Sequence, residues 1–321
     1  MPVLRDLAHS RKILFFSGKG GVGKTTLASA TALSVAREGA RVLVVSTDPA
    51  HNLGHLWQQP VGTKPVTLWA DQTVGEVVGL ELDAEALATD HLDRVAATLR
   101  SFVSESMHRQ VDQYIHLVRH APGTHESALS EKIADLCVNG RAGFDLIVFD
   151  TAPTGHTARL MHMPEMMSTY SSALLTRRKR AREFADIATA LGQEERDTSR
   201  DDQIAAVLEA RQSLFEDFRS LLTDAETTAF VLALTAERMP VLETIDFAHE
   251  LIGMSIAVGA AVINRRTPAG GGEVFDARHE RESKYIEQLC DRLDAIPLAQ
   301  IPLLAGEPTG VEALIELGQW L

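Results

Sequence analysis

Residues 13–30 read ILFFSGKGGVGKTTLASA, an apolar run, a loop with four glycines and a run of small helix-forming residues. Strand, turn and helix must therefore follow one another without a gap. The spacing G-x-x-x-x-G-K-[ST] is filled by Gly18, Lys19, Gly20, Gly21, Val22, Gly23, Lys24 and Thr25, with Thr26 next in line. Glycines let backbone N–H groups converge on phosphates, and the helix that follows turns its positive end toward them. Lys24 is placed to reach the β- and γ-phosphates of ATP, and Thr25 offers a hydroxyl to Mg²⁺. Gly18 through Thr26 are thus the candidate nucleotide-binding set.

The same rhythm recurs along the chain. Apolar, β-branched runs lie at 12–17, 41–47, 77–82, 144–150, 228–234 and 257–265. They are nearly continuous rather than alternating, the pattern of strands covered on both faces. Helical patterns at 25–38 and 240–252 fall between them, so the expected fold is α/β, a doubly wound and mostly parallel sheet. Two longer segments break the rhythm. From Leu92 to Val118 an apolar helical period persists over many turns, and Ile204, Val207, Leu208, Phe215, Phe218 and Leu222 form a second stripe. A polar stretch at 192–203 precedes that stripe and reads as a mobile connection. The expected organisation is a phosphate-loop core at 1–83, 136–159 and 226–321, with an inserted helical subdomain at 84–135 and 160–225. No internal repeat is present, which suits one nucleotide-binding half rather than a tandem pair.

A formal net charge of −13 opposes a nucleic-acid partner, which requires clustered cations. The basic run RRKRAR at 177–182 reads as a solvated helix face. The N-terminal residues lack a secretory pattern, and no window approaches the roughly 18 apolar residues of a membrane span, so the expectation is a cytoplasmic protein. Cys137 and Cys290 are the only cysteines and read as small buried residues.

The stretch GKGGVGKTT matches the deviant Walker A sequence, and STDPAHNLGHL (46–56) and FDTAPTGHTARLM (149–161) resemble the two switch segments of the ArsA/GET3 family. That family comprises arsenical-pump ATPases and the targeting factors for tail-anchored membrane proteins. Shorter matches at 79–85, 121–129, 233–244, 262–266 and 301–314 extend the resemblance over nearly the whole chain. It implies a homodimeric ATPase using ATP and Mg²⁺. Lys24 and Lys19 would be catalytic, Lys19 reaching a phosphate held by a second subunit, and Asp48 would position and activate the attacking water. Asp150 would orient Mg²⁺ through water, beside Thr25. Asp48, Pro49, Asp150, Pro153 and Gly155 would form the switches, while Glu237, Asn264, Pro302 and Leu303 would touch nucleotide. His51 and His156 read as hydrogen-bonding loop residues rather than metal ligands or bases.

In the targeting factors the inserted helices bind a transmembrane segment. Leu99, Val103, Met107, Met163, Met166 and Met167 are the candidate groove residues here, methionine being suited to varied apolar clients. The alternative client is a membrane efflux subunit for arsenite or antimonite, although two cysteines do not reproduce a metalloid site of soft thiolates. Residues 269–282 lack the Cys-x-x-Cys that holds Zn²⁺ in many family members, so no zinc is expected. A positioning ATPase resembling MinD or ParA is a remote alternative, opposed by the acidic C-terminal residues 310–321 and by the net charge.

Overall fold

The computed structural model describes residues 3–48, 52–71, 74–102, 104–121, 123–190 and 199–321. Pro49, His51 and Val103 lie outside the described residues, as does 191–198 of the polar connection; so do the side chains at 101, 102, 178, 181–190 and 199–204.

In chain order the elements are α1 (Val3–Ser10), β1 (Ile13–Ser17), α2 (Lys24–Ala36), β2 (Arg41–Ser46), α3 (Asn52–Trp57), β3 (Val66–Ala70) and β4 (Glu76–Glu81). Helices α4 (Ala84–Phe102), α5 (His108–Arg119) and α6 (Thr124–Val138) precede β5 (Leu146–Asp150), and α7 (Thr154–Ala190) and α8 (Ser199–Thr223) follow it. The chain closes with β6 (Thr228–Leu234), α9 (Arg238–Gly253), β7 (Val258–Arg266), α10 (Glu273–Arg292), β8 (Leu298–Pro302) and α11 (Gly310–Leu317). Packing divides the chain into two units. One contains Met1–Asp83, Asn139–Arg159 and Leu221–Leu321; the other contains Ala84–Val138 and Leu160–Ser220.

The first unit is built on an eight-stranded sheet in the order β3-β4-β2-β5-β1-β6-β7-β8. Every neighbouring pair is parallel except β3 with β4. The α/β reading holds, and its reason is visible in β1, β5 and β6, which are buried along their whole length. On one face α2 lies close to the sheet, helped by the fully buried Ala28, Ala30, Ala32 and Ala36. On the other face Phe15 of β1 stacks between Phe149 of β5 at 4.6 Å and Phe230 of β6 at 4.9 Å. Phe230 in turn meets the edge of Phe247 on α9 at 6.2 Å.

Two strands escape the sequence pattern. β3 and β8 are edge strands and only partly buried, so neither carries the continuous apolar run of an interior strand. Cys290 is also a correction: Cys137 is buried as expected, whereas Cys290 is exposed, one position past the buried Leu289 on α10.

The second unit is helical. The long periodic pattern at 92–118 is not one helix: α4 ends at Phe102, a single 3₁₀ turn spans Glu105–Met107, and α5 begins at His108. The chain reverses there, and Val111 and Ile115 of α5 cluster with Leu92 and Ala96 of α4. Hydrophobic period reports which face is buried, not whether the axis is continuous, so it ran through the turn. Residues 199–203 of the expected loop 192–203 belong instead to α8, which starts at Ser199. Among the described residues no helix is long and apolar enough to cross a membrane.

Replacing Phe15 by Ala removes the middle ring of the stack in a site that cannot easily collapse. The expected loss is about 3–5 kcal/mol in denaturant unfolding of the full chain. A loss below about 1 kcal/mol would mean that the stack does not hold this face together.

Candidate functional site

The loop between β1 and α2 is shaped by what crowds it. A Cβ on Gly18 would sit 2.1 Å from the Ala233 carbonyl oxygen of β6, so the chain leaves β1 against its neighbour strand only as glycine. Gly23 has φ +95°, and a Cβ there would lie 2.3 Å from Asn264 Nδ2. Asn264, near the end of β7, donates that amide to the Val22 carbonyl at 2.9 Å. Gly20 and Gly21 are exposed, and Thr26 is half-buried in the first turn of α2.

Lys24 opens α2 as a buried cation and donates to the Lys19 carbonyl at 3.2 Å. Burial lowers its pKa, against the opposing pull of Asp150 and Asp48. Asp150 ends β5 with no exposed surface. Its Oδ2 accepts from Thr25 Oγ1 at 2.7 Å and from Ser46 Oγ at 3.4 Å, while its Oδ1 is buried without a partner among the described residues. Burial pushes the Asp150 carboxyl from the ordinary 3.8 up to about 7; the Thr25 hydrogen bond and the Lys24 charge oppose this, and Asp48 adds to it. Asp48 follows β2, half-buried, its backbone N–H donating to Ser46 Oγ at 3.4 Å. Lys24, Thr25, Asp48 and Asp150 thus converge, and an orphaned oxygen beside a hydroxyl is the donor set a hydrated Mg²⁺ fits.

The segments after β2 and β5 are tied together. Thr47 Oγ1 accepts from the Ala152 N–H at 3.2 Å, and the Thr47 N–H donates to the Asp150 carbonyl at 2.9 Å. Thr151 Oγ1 donates to the Phe16 carbonyl at 2.9 Å, and Thr157 Oγ1 reaches the Ala152 carbonyl at 2.7 Å. Pro153 is half-buried, while Gly155 and His156 are exposed.

The remaining candidates lie along the same sheet edge or beside it. Lys19 is held by its own chain, its Nζ 2.7 Å from Glu243 Oε1 on α9. Glu237 precedes α9 with an exposed side chain 3.7 Å from Arg278. Pro302 ends β8, and the N–H of the exposed Leu303 donates to the Arg266 carbonyl at 2.8 Å. Sequence reading missed Glu243, which stands 224 residues from its lysine with no local signal to join them. It also missed Arg265, whose Nη1 donates to the Gly21 carbonyl at 3.3 Å, and the buried Arg266–Glu282 pair at 2.6 Å. In the helical unit Leu99 packs partly buried on the α4–α5 cluster, Met107 and Met166 are exposed, and Met163 and Met167 are half-buried.

Residues 11–321 match the anion-transporting ATPase family. The chain belongs to that family. Three relatives show its range. ATPase ASNA1 homolog 1 of Paramecium tetraurelia is 28% identical over 317 residues, 98% of this chain and 93% of that protein. ATPase GET3A of Arabidopsis thaliana is 29% identical over 318 residues, 95% of this chain and 82% of its own length. The arsenical pump-driving ATPase of Escherichia coli is 29% identical over 309 residues, 95% of this chain but 48% of that protein. The ArsA/GET3 resemblance is therefore correct, and this member of the anion-transporting ATPase family is an ATPase.

The buried carboxyl sets a pH signature in the ligand-free protein. An unfolded chain ionises Asp150 near 3.8, whereas the folded chain keeps its proton up to about 7. Between these values the folded state binds more protons, so this group costs stability as pH rises, with no further change above the window. The thermal midpoint of Asp150→Asn minus that of the wild type should therefore grow from about pH 4 to about pH 7 and then level off. A difference independent of pH would mean that Asp150 is ionised throughout.

Proposed function

We propose that this ATPase is Mg²⁺-dependent and works as a homodimer in the cytoplasm, its hydrolysis cycle opening and closing a helical surface that takes up a hydrophobic membrane-protein segment. The observation that carries the catalytic part is the convergence of Lys24, Thr25, Asp48 and Asp150, with Asp150 Oδ1 buried and without a partner among the described residues. Thr25 and Asp150 would hold the metal, Asp150 through water, and the ion would supply charge neutralisation of the phosphates. Lys24 binds the phosphate chain, and Asp48 orients the attacking water from the end of β2. Catalysis rests on positioning and electrostatics rather than covalent chemistry. Asn264, Pro302, Leu303 and Glu237 serve the rest of the nucleotide. The Thr47–Ala152 bond couples the two switch segments, which supports their moving as one when a phosphate leaves.

Lys19 contributes to the partner subunit's site, for which it must leave Glu243. That pair is half-exposed, and such pairs are worth about 0–1 kcal/mol, so the exchange is cheap. Client binding is supported by exposed apolar side chains of the helical unit, among them Met107, Tyr114, Leu117, Met166, Tyr170 and Val207. A soft metalloid site is less well supported, because Cys137 is buried and Cys290 stands exposed in the other unit. The net charge of −13 gives nucleic acid no basic footing.

Asp48→Asn should keep ATP affinity and lose turnover by about 100-fold or more, measured by calorimetry and phosphate release. Wild-type turnover would remove Asp48 from the mechanism. Lys19→Ala should lower turnover and abolish its dependence on protein concentration, and the native mass by light scattering should double with a non-hydrolysable ATP analogue. A monomer under all conditions would end the dimer reading. Turnover titrated separately with antimonite and a solubilised transmembrane peptide identifies the client: stimulation by peptide supports the targeting role, and stimulation by antimonite alone replaces it with the efflux role.

A further inference from the structure

Among the described residues, Gln58, Ser255 and Arg265 are the non-glycine positions with positive φ, and only Arg265 touches the phosphate loop. Its φ of 56° lies in the left-handed region that arginine adopts reluctantly. The backbone on both sides prevents relaxation. Asn264 Oδ1 accepts the Arg265 N–H at 2.9 Å while the same amide holds the Val22 carbonyl. On the far side Arg266 is buried and donates to Glu282 Oε2 at 2.6 Å, the His279 carbonyl at 2.9 Å and Ser283 Oγ at 2.6 Å. Thr267 adds its N–H at 2.9 Å and its hydroxyl at 2.7 Å to the same Glu282 carboxylate. Four hydrogen bonds to Glu282, the fourth from Arg278, therefore anchor the chain just past the outlier.

Strain held this firmly is found where a side chain must be aimed. Here it carries an exposed guanidinium back to the loop, one N–H resting on the Gly21 carbonyl at 3.3 Å. One long, solvent-exposed bond to a carbonyl is a poor reason for the conformation, since asparagine or glycine would adopt it with less strain. Guanidinium is, however, the side chain best matched to phosphate oxygens.

We propose that Arg265 is a nucleotide-binding residue, a further cation that exchanges its Gly21 contact for the phosphate chain of the nucleotide held by residues 18–25. The proposal rests on the reading of that loop as the ATP site. It gives the loop a cation supplied by β7, and makes the Arg266–Glu282 anchor the device that keeps it aimed.

The test measures ATP and ADP affinity by calorimetry, together with the ligand-free thermal midpoint, for Arg265→Asn, Arg265→Lys and Lys24→Ala. Arg265→Asn should bind both nucleotides about tenfold more weakly with an unchanged or raised midpoint, because asparagine tolerates the left-handed backbone, and Arg265→Lys should recover part of the affinity. Unchanged affinity in Arg265→Asn overturns the proposal. So does a weaker affinity accompanied by a lower midpoint that Arg265→Lys does not recover, which would make the arginine a structural clamp. Wild-type affinity in Lys24→Ala would instead sink the loop reading on which the proposal stands.

Discussion

A carboxyl group without solvent is the constraint around which the C-terminal end of the parallel sheet is organised. Asp150 ends β5 with no exposed surface, and the groups around it answer that burial. Thr25 and Ser46 donate to one oxygen, Lys24 supplies the opposing charge, and the second oxygen has no partner among the described residues. Burying a charge on these terms is costly unless something completes the set. In a phosphate-binding ATPase, a hydrated cation is the group that would do so. The same burial lowers the pKa of Lys24, so carboxyl and ammonium are both displaced toward neutrality by desolvation and drawn back by each other.

The parallel sheet makes that arrangement possible. Since β2, β5, β1, β6 and β7 run in the same direction, their C-terminal ends deliver Ser46, Asp150, the glycine loop and Asn264 to one edge. The aromatic stack of Phe15, Phe149 and Phe230 lies on three of these strands and fixes their spacing behind the site. Glycine at 18 and 23 then follows from crowding: the Ala233 carbonyl and the Asn264 amide occupy the space a side chain would need. The geometry of the candidate site and the packing of the core are thus one problem, solved by the same strands.

Two charged contacts divide by burial, and burial decides what each can do. Arg266–Glu282 is almost free of water and reinforced by Thr267, Ser283 and Arg278, so burial that would raise the Glu282 pKa is outweighed and the carboxyl stays ionised. It suits a permanent anchor. Lys19–Glu243 is half-exposed and single, which suits a contact that is exchanged.

Local chemistry written in the sequence determined much of this protein. Continuous apolar runs identified the interior strands, and the glycine spacing located the turn between β1 and α2, because those signals depend only on neighbours along the chain. Edge strands β3 and β8 were invisible for the same reason: half-solvated strands carry no continuous run. The turn at Glu105–Met107 was invisible because a returning helix keeps the hydrophobic period of the one it packs against. Tertiary structure alone decided which charges meet. It joined Lys19 to Glu243, left one oxygen of Asp150 without a partner among the described residues, and held Arg265 in a backbone conformation that its own side chain disfavours. Each depends on groups far apart in sequence, and on the water excluded when the sheet closes around them.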